Sequence, residues 1–590
     1  MKLAEALLIA RKPPSQPSQP WRVLLACGFT PLHLGTFLHA HLRLALPTRN
    51  VSIFNGLFGD LAGTVEAALT QEADAVAVAV EWPDLDQRLS VRSQGGWEPS
   101  KWNDIFDEVA RSGTRLAARL NHLADRVPVA VSLPSLPPPP ASFASPGHAS
   151  AWEVRLFEVL SQMASAISAH PRISLLNRWE LDRVSPPAQR HDVKAELSAG
   201  FPYQIAHTSE LARLLALLLA PPPPKKGLIT DLDDTVWHGI VGEDGPENVA
   251  WSLERHAQQH GLYQQLLSSL LQTGTLVGVA SKNDPSIAGR ALDRADLLLP
   301  RSELFPVECN WGPKSKSIQR ILAAWNIGAD SVVFIDDSPL ELEEVAQAHP
   351  GIECIRFPKE NPAAVWDLCH RLRELFGKPG IREEDRLRGA SLRNAAEMQR
   401  AMADTGQQET VLEQAAAVIQ DNWTKEPADP RALELINKTN QFNLNGRRWT
   451  ESDWLSFLRR EDSFLVVSSY QDKFGPLGKI AVAAARRAGD GTAVVESWVM
   501  SCRAFSRRIE HHMLLELFDR LGVERIQLEY AATDRNGPLT EFLTALGVPL
   551  EPGVMPVIER SQYRERMPQL YRAHEMIGLP VSTPPANGAR

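Results

Sequence analysis

Short apolar runs alternate with longer stretches of helical periodicity in the amino-terminal part of the chain. The apolar runs are Arg22–Cys27, Asn50–Phe54, Ala75–Val80 and Val127–Ser132. Each has the length of a strand, and the segments between them have the spacing of amphipathic helices. Strands that alternate with helices indicate a parallel sheet. The pattern therefore predicts an α/β domain over residues 1–220.

A second α/β pattern follows a run of prolines. Pro221–Pro224 cannot continue a helix or a central strand, so this run indicates a boundary. Downstream, apolar runs that end at Asp231, Ser281 and Asp336 predict another parallel sheet, within residues 225–378.

The remaining chain contains three segments that differ in composition and in predicted structure. Residues 379–408 are charged and helix-forming, which predicts a connector helix. Residues 409–560 mix strand and helix patterns and predict an α+β domain, whereas residues 574–590 predict a flexible tail. Because 590 residues exceed what a single core holds, the fold class is multidomain α/β.

The candidate chemistry begins at the end of the first strand of the second sheet. Asp231 and Asp233 are spaced i, i+2, so both carboxylates leave the strand on the same side. They enter the crevice where parallel sheets bind ligands. We interpret Asp231 as a nucleophile and metal ligand, and Asp233 as a general acid/base whose main-chain carbonyl binds the metal. Thr235 would orient the loop.

Three later elements complete this constellation. Asp336 and Asp337 follow an apolar strand and would be metal ligands, while Ser281 and Lys314 would bind phosphate oxygens. Carboxylate oxygens suit Mg²⁺, which screens the charge between an anionic substrate and a carboxylate nucleophile. An isolated pair of acids also fits a capped turn, but four elements in this order favour catalysis of phosphoryl transfer.

Three further residues leave alternatives open. Trp237 and Glu243 either shape a substrate pocket or belong to a solvated loop with a packed tryptophan. Cys309 is more often a small packed residue than a nucleophile.

The order of these motifs resembles the haloacid dehalogenase (HAD) superfamily. The longer runs from Asp231 to Gly245, from Ser281 to Asn283 and from Phe334 to Pro339 resemble FkbH-like proteins, as does the run from Asn437 to Leu444. The resemblance implies a Rossmann-like HAD core flanked by an SGNH-like α/β domain and a GNAT-like α+β domain.

The resemblance also implies a reaction. FkbH-like proteins dephosphorylate 1,3-bisphosphoglycerate and load the glyceryl unit onto a phosphopantetheinylated acyl carrier protein, in specialised metabolite or glycan biosynthesis. Substrate contacts would then come from Asn283, Arg503 and Asn440, beside Trp237 and Glu243. Many relatives are expected to have a cysteine directly before the Ser-Lys-Asn motif, where this chain has Ala280.

The flanking domains carry weaker signals. Thr30, Asp192 and His207 stand in the order of a serine esterase's catalytic groups, but threonine replaces serine, so a scaffold is the favoured interpretation. In the last domain, Ser506 and Arg508 replace the glycines of a coenzyme A phosphate turn.

The composition limits the classes of binding partner and the compartment that the chain fits. The formal net charge of -9 provides no overall basic field for nucleic acid. Five scattered cysteines indicate neither a disulfide framework nor a zinc cluster, which fits the cytoplasm. The apolar amino terminus is interrupted by Glu5, which predicts no export signal and no membrane anchor.

Two alternatives to glyceryl transfer remain. The chain is either a small-molecule phosphatase without acyl transfer, or a GNAT-type acyltransferase whose HAD domain only binds.

Overall fold

The structure is a computed structural model that divides into two compact units, Met1–Pro223 and Pro224–Arg590, each described by itself. It describes residues 1–12, 19–94, 96–141, 144–145, 147–378, 380–381, 383–405, 408–427, 429–439, 441–533, 535–551 and 553–578.

The amino-terminal unit contains a parallel sheet in the order β2-β1-β3-β4-β5. Its strands are β1 (Gln19–Cys27), β2 (Arg49–Asn55), β3 (Ala75–Ala79), β4 (Val129–Ser132) and β5 (Ile173–Leu175). Its helices are α1 (Leu3–Arg11), α2 (Leu32–Ala45), α3 (Leu61–Ala67), α4 (Trp82–Leu85), α5 (Trp102–Ala124), α6 (Ala151–Ser168), α7 (Arg178–Val184), α8 (Val193–Ala199) and α9 (Ile205–Leu219).

Burial of β3 explains its sequence. Every residue of this strand is fully buried, because helices cover both faces of the sheet and each face has its own apolar core. A parallel strand buried on both faces reads as a continuous apolar run rather than an alternating one.

The second unit begins with another parallel sheet, in the order β10-β9-β6-β7-β8. Its strands are β6 (Gly227–Thr230), β7 (Leu276–Ser281), β8 (Val307–Cys309), β9 (Val332–Asp336) and β10 (Glu353–Arg356). Its helices are α10 (Val241–Asp244), α11 (Gln258–Gln272), α12 (Pro285–Leu292), α13 (Lys314–Trp325), α14 (Pro339–Ala348) and α15 (Pro362–Phe376).

The register of this central sheet brings the strand ends to one edge. Thr230 pairs with Val279 and Ile335, and Ser281 pairs with Cys309. Because the strands are parallel, the residues that follow them all emerge at the same edge. The acids predicted from the sequence stand at this edge.

The rest of the second unit forms a mixed sheet in the order β17-β16-β15-β14-β13-β11-β18, with β12 paired to β15. Its elements are α16 (Glu383–Thr405), α17 (Gln408–Glu413), β11 (Val418–Asn422), α18 (Pro430–Lys438), β12 (Phe442–Asn443), α19 (Glu451–Leu458), β13 (Ser463–Asp472), β14 (Gly475–Gly489), β15 (Thr492–Met500), α20 (Ile509–Leu521), β16 (Arg525–Leu528), α21 (Gly537–Ala545), β17 (Val557–Glu559), α22 (Arg560–Arg566) and β18 (Ala573–Ile577).

The start of the predicted tail is wrong. Residues 574–577 belong to β18, which pairs in parallel with β11 from Val418↔Ala573 to Asn422↔Ile577. This pairing satisfies main-chain groups along the edge of β11 that would otherwise need water. Residues 579–590 lie outside the described part of the chain.

In the described part of the chain, no helix combines the length and apolar character needed to span a bilayer.

Candidate active site

Three carboxylates surround one lysine at the carboxyl edge of the central sheet. Asp231 follows β6, Asp336 ends β9, and Glu341 lies in the first turn of α14. Lys314, the first residue of α13, places its Nζ 3.0 Å from Asp231 Oδ1 and 2.6 Å from Asp336 Oδ2, and it also pairs with Glu341. Lys314, Asp231 and Asp336 are buried and Glu341 is mostly shielded from solvent, so their charges interact strongly.

Burial and mutual repulsion shift the pKa values of these groups. Burial raises the pKa of Asp231. Burial and the neighbouring Asp231 raise the pKa of Asp336 to about 7. Burial alone would lower the pKa of Lys314, but the three carboxylates raise it well above its usual range. Lys314 therefore stays charged and offsets part of the crowded negative charge.

The acids fit a divalent cation. Carboxylate oxygens of Asp231, Asp336 and Asp337 all lie within 4.8 Å of one another, and the first two residues are buried. Asp231 Oδ1 is buried and accepts no hydrogen bond of good geometry from the described residues, although it is ion-paired with Lys314. One lysine does not balance carboxylates crowded this closely, and a hard cation with oxygen ligands would offset their remaining repulsion.

Asp233 lies beside this cluster, but its carboxylate is not one of the three that can share a metal. Its Oδ1 accepts hydrogen bonds from Trp237 Nε1 at 2.8 Å and from the main-chain N–H of Val241 at 3.0 Å. Its Oδ2 accepts one from Asn283 Nδ2 at 3.0 Å. These donors fix the position of the carboxylate, as a positioned acid/base requires.

Ser281 and Asn283 complete the rim at the end of β7. Asn283 Nδ2 lies 3.0 Å from Ser281 Oγ, and both side chains are buried. Thr235 is buried too, and its Oγ1 has no hydrogen-bond partner among the described residues. Its main-chain oxygen lies 3.0 Å from His260 Nδ1, which anchors the loop after Asp233.

Of the two interpretations of Trp237, the structure favours the packed tryptophan. Trp237 is fully buried in the core of the central domain, and its indole supports Asp233 from behind. Glu243 is exposed on α10, and its side chain makes no hydrogen bond or ion pair with another described residue.

One predicted substrate contact does not join this site, and another lies outside the described residues. Arg503 lies beyond β15 in the mixed sheet and donates a hydrogen bond from Nη1 to Ser391 Oγ at 3.1 Å. Asn440 lies outside the described residues.

Sequence reasoning missed two supporting residues. Glu341 ion-pairs with both Lys314 and Lys282. Lys359 follows β10 and bridges Asp234 Oδ2 and Asp337 Oδ2 at 2.7 and 2.8 Å. The signal for Lys359 was its position just after a strand of the same parallel sheet.

Cys309 is the last residue of β8, and the charges of the nearby acids affect the pKa of its thiol. Burial, with Asp231 and Asp233, raises the pKa of this thiol to about 11. The thiol is therefore protonated at neutral pH and is a weak nucleophile.

The esterase-like residues of the amino-terminal unit have structural contacts instead. Thr30 Oγ1 donates a hydrogen bond to the main-chain oxygen of Ala199 at 2.8 Å, and Asp192 caps α8. His207 is fully buried, with its ring nitrogens 3.1 and 3.0 Å from the hydroxyls of Ser135 and Ser185. These contacts favour the scaffold interpretation of this unit.

The turn before α20 has glycine-like backbone conformations without glycine. Ser506 and Arg508 have φ angles of 65° and 60°. The Arg507 side chain is buried in an ion pair with Asp472 at 3.0 Å, and Arg508 pairs with Glu409. These two arginines are engaged within the protein.

Comparisons with known proteins show similarity at the level of fold. No family model matches the chain, and no curated protein matches it. The chain is similar to the N-terminal part of the protein BF1531 from Bacteroides fragilis, described as containing a phosphatase domain complexed with Mg. The identity is 18% and the TM-score 0.51, with 64% of this chain and 100% of that chain covered.

An uncharacterized protein from Corynebacterium glutamicum is 20% identical, with a TM-score of 0.18, over 26% of this chain and 98% of its own. A TM-score this low is not evidence of a shared fold. The likeness to BF1531 supports a multidomain α/β fold with parallel sheets.

Proposed function

We propose that the acidic site is a Mg²⁺-dependent HAD-type phosphatase site for a small phosphorylated metabolite. The observation that carries this proposal is the buried cluster of Asp231, Asp336, Asp337 and Lys314 at the carboxyl edge of a parallel sheet. Asp231, Asp336 and Asp337 would hold Mg²⁺, which screens phosphate charge when bound. The Mg²⁺ in the BF1531 structure supports the choice of metal.

The chain's own residues supply the remaining chemistry. An oxygen of Asp231 attacks phosphorus, the bond from phosphorus to the leaving oxygen breaks, and Asp233 donates a proton to that oxygen. Water then attacks the phosphoaspartate while Asp233 takes a proton from it, which releases phosphate and restores Asp231. Ser281 and Lys314 hold phosphate oxygens through this sequence.

The finer proposal is an FkbH-like glyceryl transferase. The substrate would be 1,3-bisphosphoglycerate, and the acceptor a phosphopantetheinylated acyl carrier protein. The carrier's thiol would displace the acyl phosphate, forming a C–S bond as the C–O bond to phosphate breaks. Asp231 would then remove the remaining phosphate ester. The motif runs from Asp231 to Gly245 and from Phe334 to Pro339 support this choice.

A second candidate is a phosphatase without acyl transfer. Ala280 precedes Ser281, and Cys309 is protonated at neutral pH, so neither position offers a reactive thiol to carry a glyceryl group. Direct transfer of the glyceryl unit to the carrier needs no thiol on this chain, so the lack of a reactive cysteine does not decide between the two candidates. A single experiment can distinguish them.

The experiment combines the protein, Mg²⁺, 1,3-bisphosphoglycerate and a phosphopantetheinylated carrier, and follows both phosphate release and carrier mass. Glyceryl transfer predicts a mass gain on the carrier, whereas phosphate release without it identifies the simple phosphatase. Asp231→Asn should abolish enzymatic hydrolysis of the phosphate ester, while Asp367→Asn, on the exposed face of α15, should not change it. Full hydrolysis of the phosphate ester by Asp231→Asn would refute both candidates.

A further inference from the structure

A basic cavity of about 560 Å³ lies in the second unit, between the central sheet and the mixed sheet. Six cationic side chains line it, and none of the described lining residues is acidic. The cations are Lys226, Arg388, Arg431, Lys438, Arg503 and Arg535. A volume of this size is typical of small-molecule sites.

Acids near the cavity compensate only part of this charge. Asp385 pairs with Arg388 at 3.2 Å, and Glu434 pairs with Arg431 and Lys438 at 2.8 and 2.7 Å. The side chains of Lys226 and Arg535 make no hydrogen bond or ion pair with any described residue. The cavity therefore keeps an excess of positive charge.

Repulsion between neighbouring cations lowers the pKa values of these side chains when no anion is bound. Burial lowers the pKa of Lys226, and Arg388 and Lys438 lower it further. Burial also lowers the pKa of Arg388, and Arg431 adds to this effect. An anion in the cavity would relieve both the repulsion and the lost hydration.

The walls between the cations are apolar. Leu276 and Trp325 come from the central domain, Leu392 from α16 and Leu435 from α18. The two sides are joined by a pair of amide hydrogen bonds between Asn326 and Gln441, at 2.8 and 2.6 Å. The cavity is thus built from several elements that hold one another in place.

This cavity is separate from the acidic site. Lys226 precedes β6 and Asp231 follows it, so the two residues lie at opposite ends of the same strand. Five residues of extended chain span about 16 Å. The Lys226 end of the cavity is therefore about 16 Å from Asp231 along this strand.

We propose that this cavity binds an organic phosphate, with its phosphate groups against the cations and its uncharged part against the apolar wall. Guanidinium forks match phosphate oxygens, and several cations suit a group of charge -2 or more. The apolar wall favours a ligand with an extended uncharged part over inorganic phosphate.

The test is titration calorimetry on the full chain, without divalent cations so that the carboxylates of the acidic site repel phosphate. The probes are coenzyme A, inorganic pyrophosphate and phosphate-free pantetheine. Coenzyme A should bind at least about tenfold more tightly than either of the others. Lys226→Gln and Arg535→Gln should each weaken coenzyme A binding about tenfold.

The matched control is Lys225→Gln, since Lys225 is the neighbouring lysine but pairs with Glu353 outside the cavity. It should change the dissociation constant less than about twofold. Equal effects of Lys225→Gln and Lys226→Gln, or no coenzyme A binding by the unmodified protein, would overturn the proposal. Pyrophosphate binding as tight as coenzyme A binding would overturn the role of the apolar wall. Arg535 is exposed, so its variant tests the site even where Lys226→Gln fails to fold.

Discussion

Replacing Lys314 by methionine tests the electrostatic account of the acidic site. The side chains of Lys314, Asp231 and Asp336 are 3%, 8% and 0% exposed, and the lysine is the shared cation of both acids. Removing one partner of a buried ion pair costs about 3–5 kcal/mol, because the remaining charge stays buried and uncompensated. We expect a loss of this size at pH 8 in the metal-free protein.

Hydrogen exchange of β6 and β9, read by mass spectrometry, is the suitable assay, because a multidomain chain does not unfold in one two-state step. A loss of about 4 kcal/mol corresponds to amide exchange roughly a thousandfold faster. The loss should be smaller at pH 6, since the pKa of Asp336 is about 7 with Lys314 present and rises further without it, and a protonated carboxyl needs no counter-charge. Saturating Mg²⁺ should restore part of the protection, because a bound cation replaces the missing charge.

Lys359→Met is the matched control. Lys359 also bridges two carboxylates, but its side chain is 29% exposed, so its removal should cost about 1 kcal/mol or less. The reasoning is refuted when both variants lose the same protection, or when Mg²⁺ has no effect on the Lys314 variant.

Three more predictions concern the acidic site, Cys309 beside it, and a buried carboxylate of the mixed sheet. Because the pKa of Asp336 is about 7, Mg²⁺ must displace a proton from this carboxyl at lower pH, so the affinity for Mg²⁺ should fall as pH drops from 8 to 6. Calorimetry in different buffers should detect the released proton. An affinity for Mg²⁺ that does not change with pH would contradict this. Since the pKa of Cys309 is raised to about 11, iodoacetamide should label it slowly at pH 7.5 by peptide mass spectrometry, and rapid labelling would indicate a thiolate. Asp421→Asn should cost about 3 kcal/mol in hydrogen-exchange protection of β11, because the buried carboxylate lies within 3.0 Å of Ser468, His512 and His574; unchanged protection would refute this.

Local patterns in the sequence predict the central domain well. The runs before Asp231, Ser281 and Asp336 are strands β6, β7 and β9, because continuous apolar runs are what a sheet covered on both faces requires. Parallel strands share a carboxyl edge, so polar residues just after them meet whatever their separation in sequence. The meeting of Asp231, Asp336 and Lys314 followed from this rule.

Side-chain direction was not contained in those patterns. The tryptophan at 237 could face a pocket or the core, and only packing of the loop decided that it supports Asp233. Likewise, the strand and turn patterns around Arg503 do not indicate which part of the protein its side chain contacts. In the folded chain this side chain lines the basic cavity.

The amino-acid sequence by itself determined several strands of each parallel sheet and the acids at their ends, because burial and strand geometry act over a few residues. Tertiary structure alone decided the counter-charges of Glu341 and Lys359, the pairing of β18 with β11, and the cavity between two sheets. Each of these joins residues far apart in the chain, and their meeting depends on how whole elements pack rather than on any local preference.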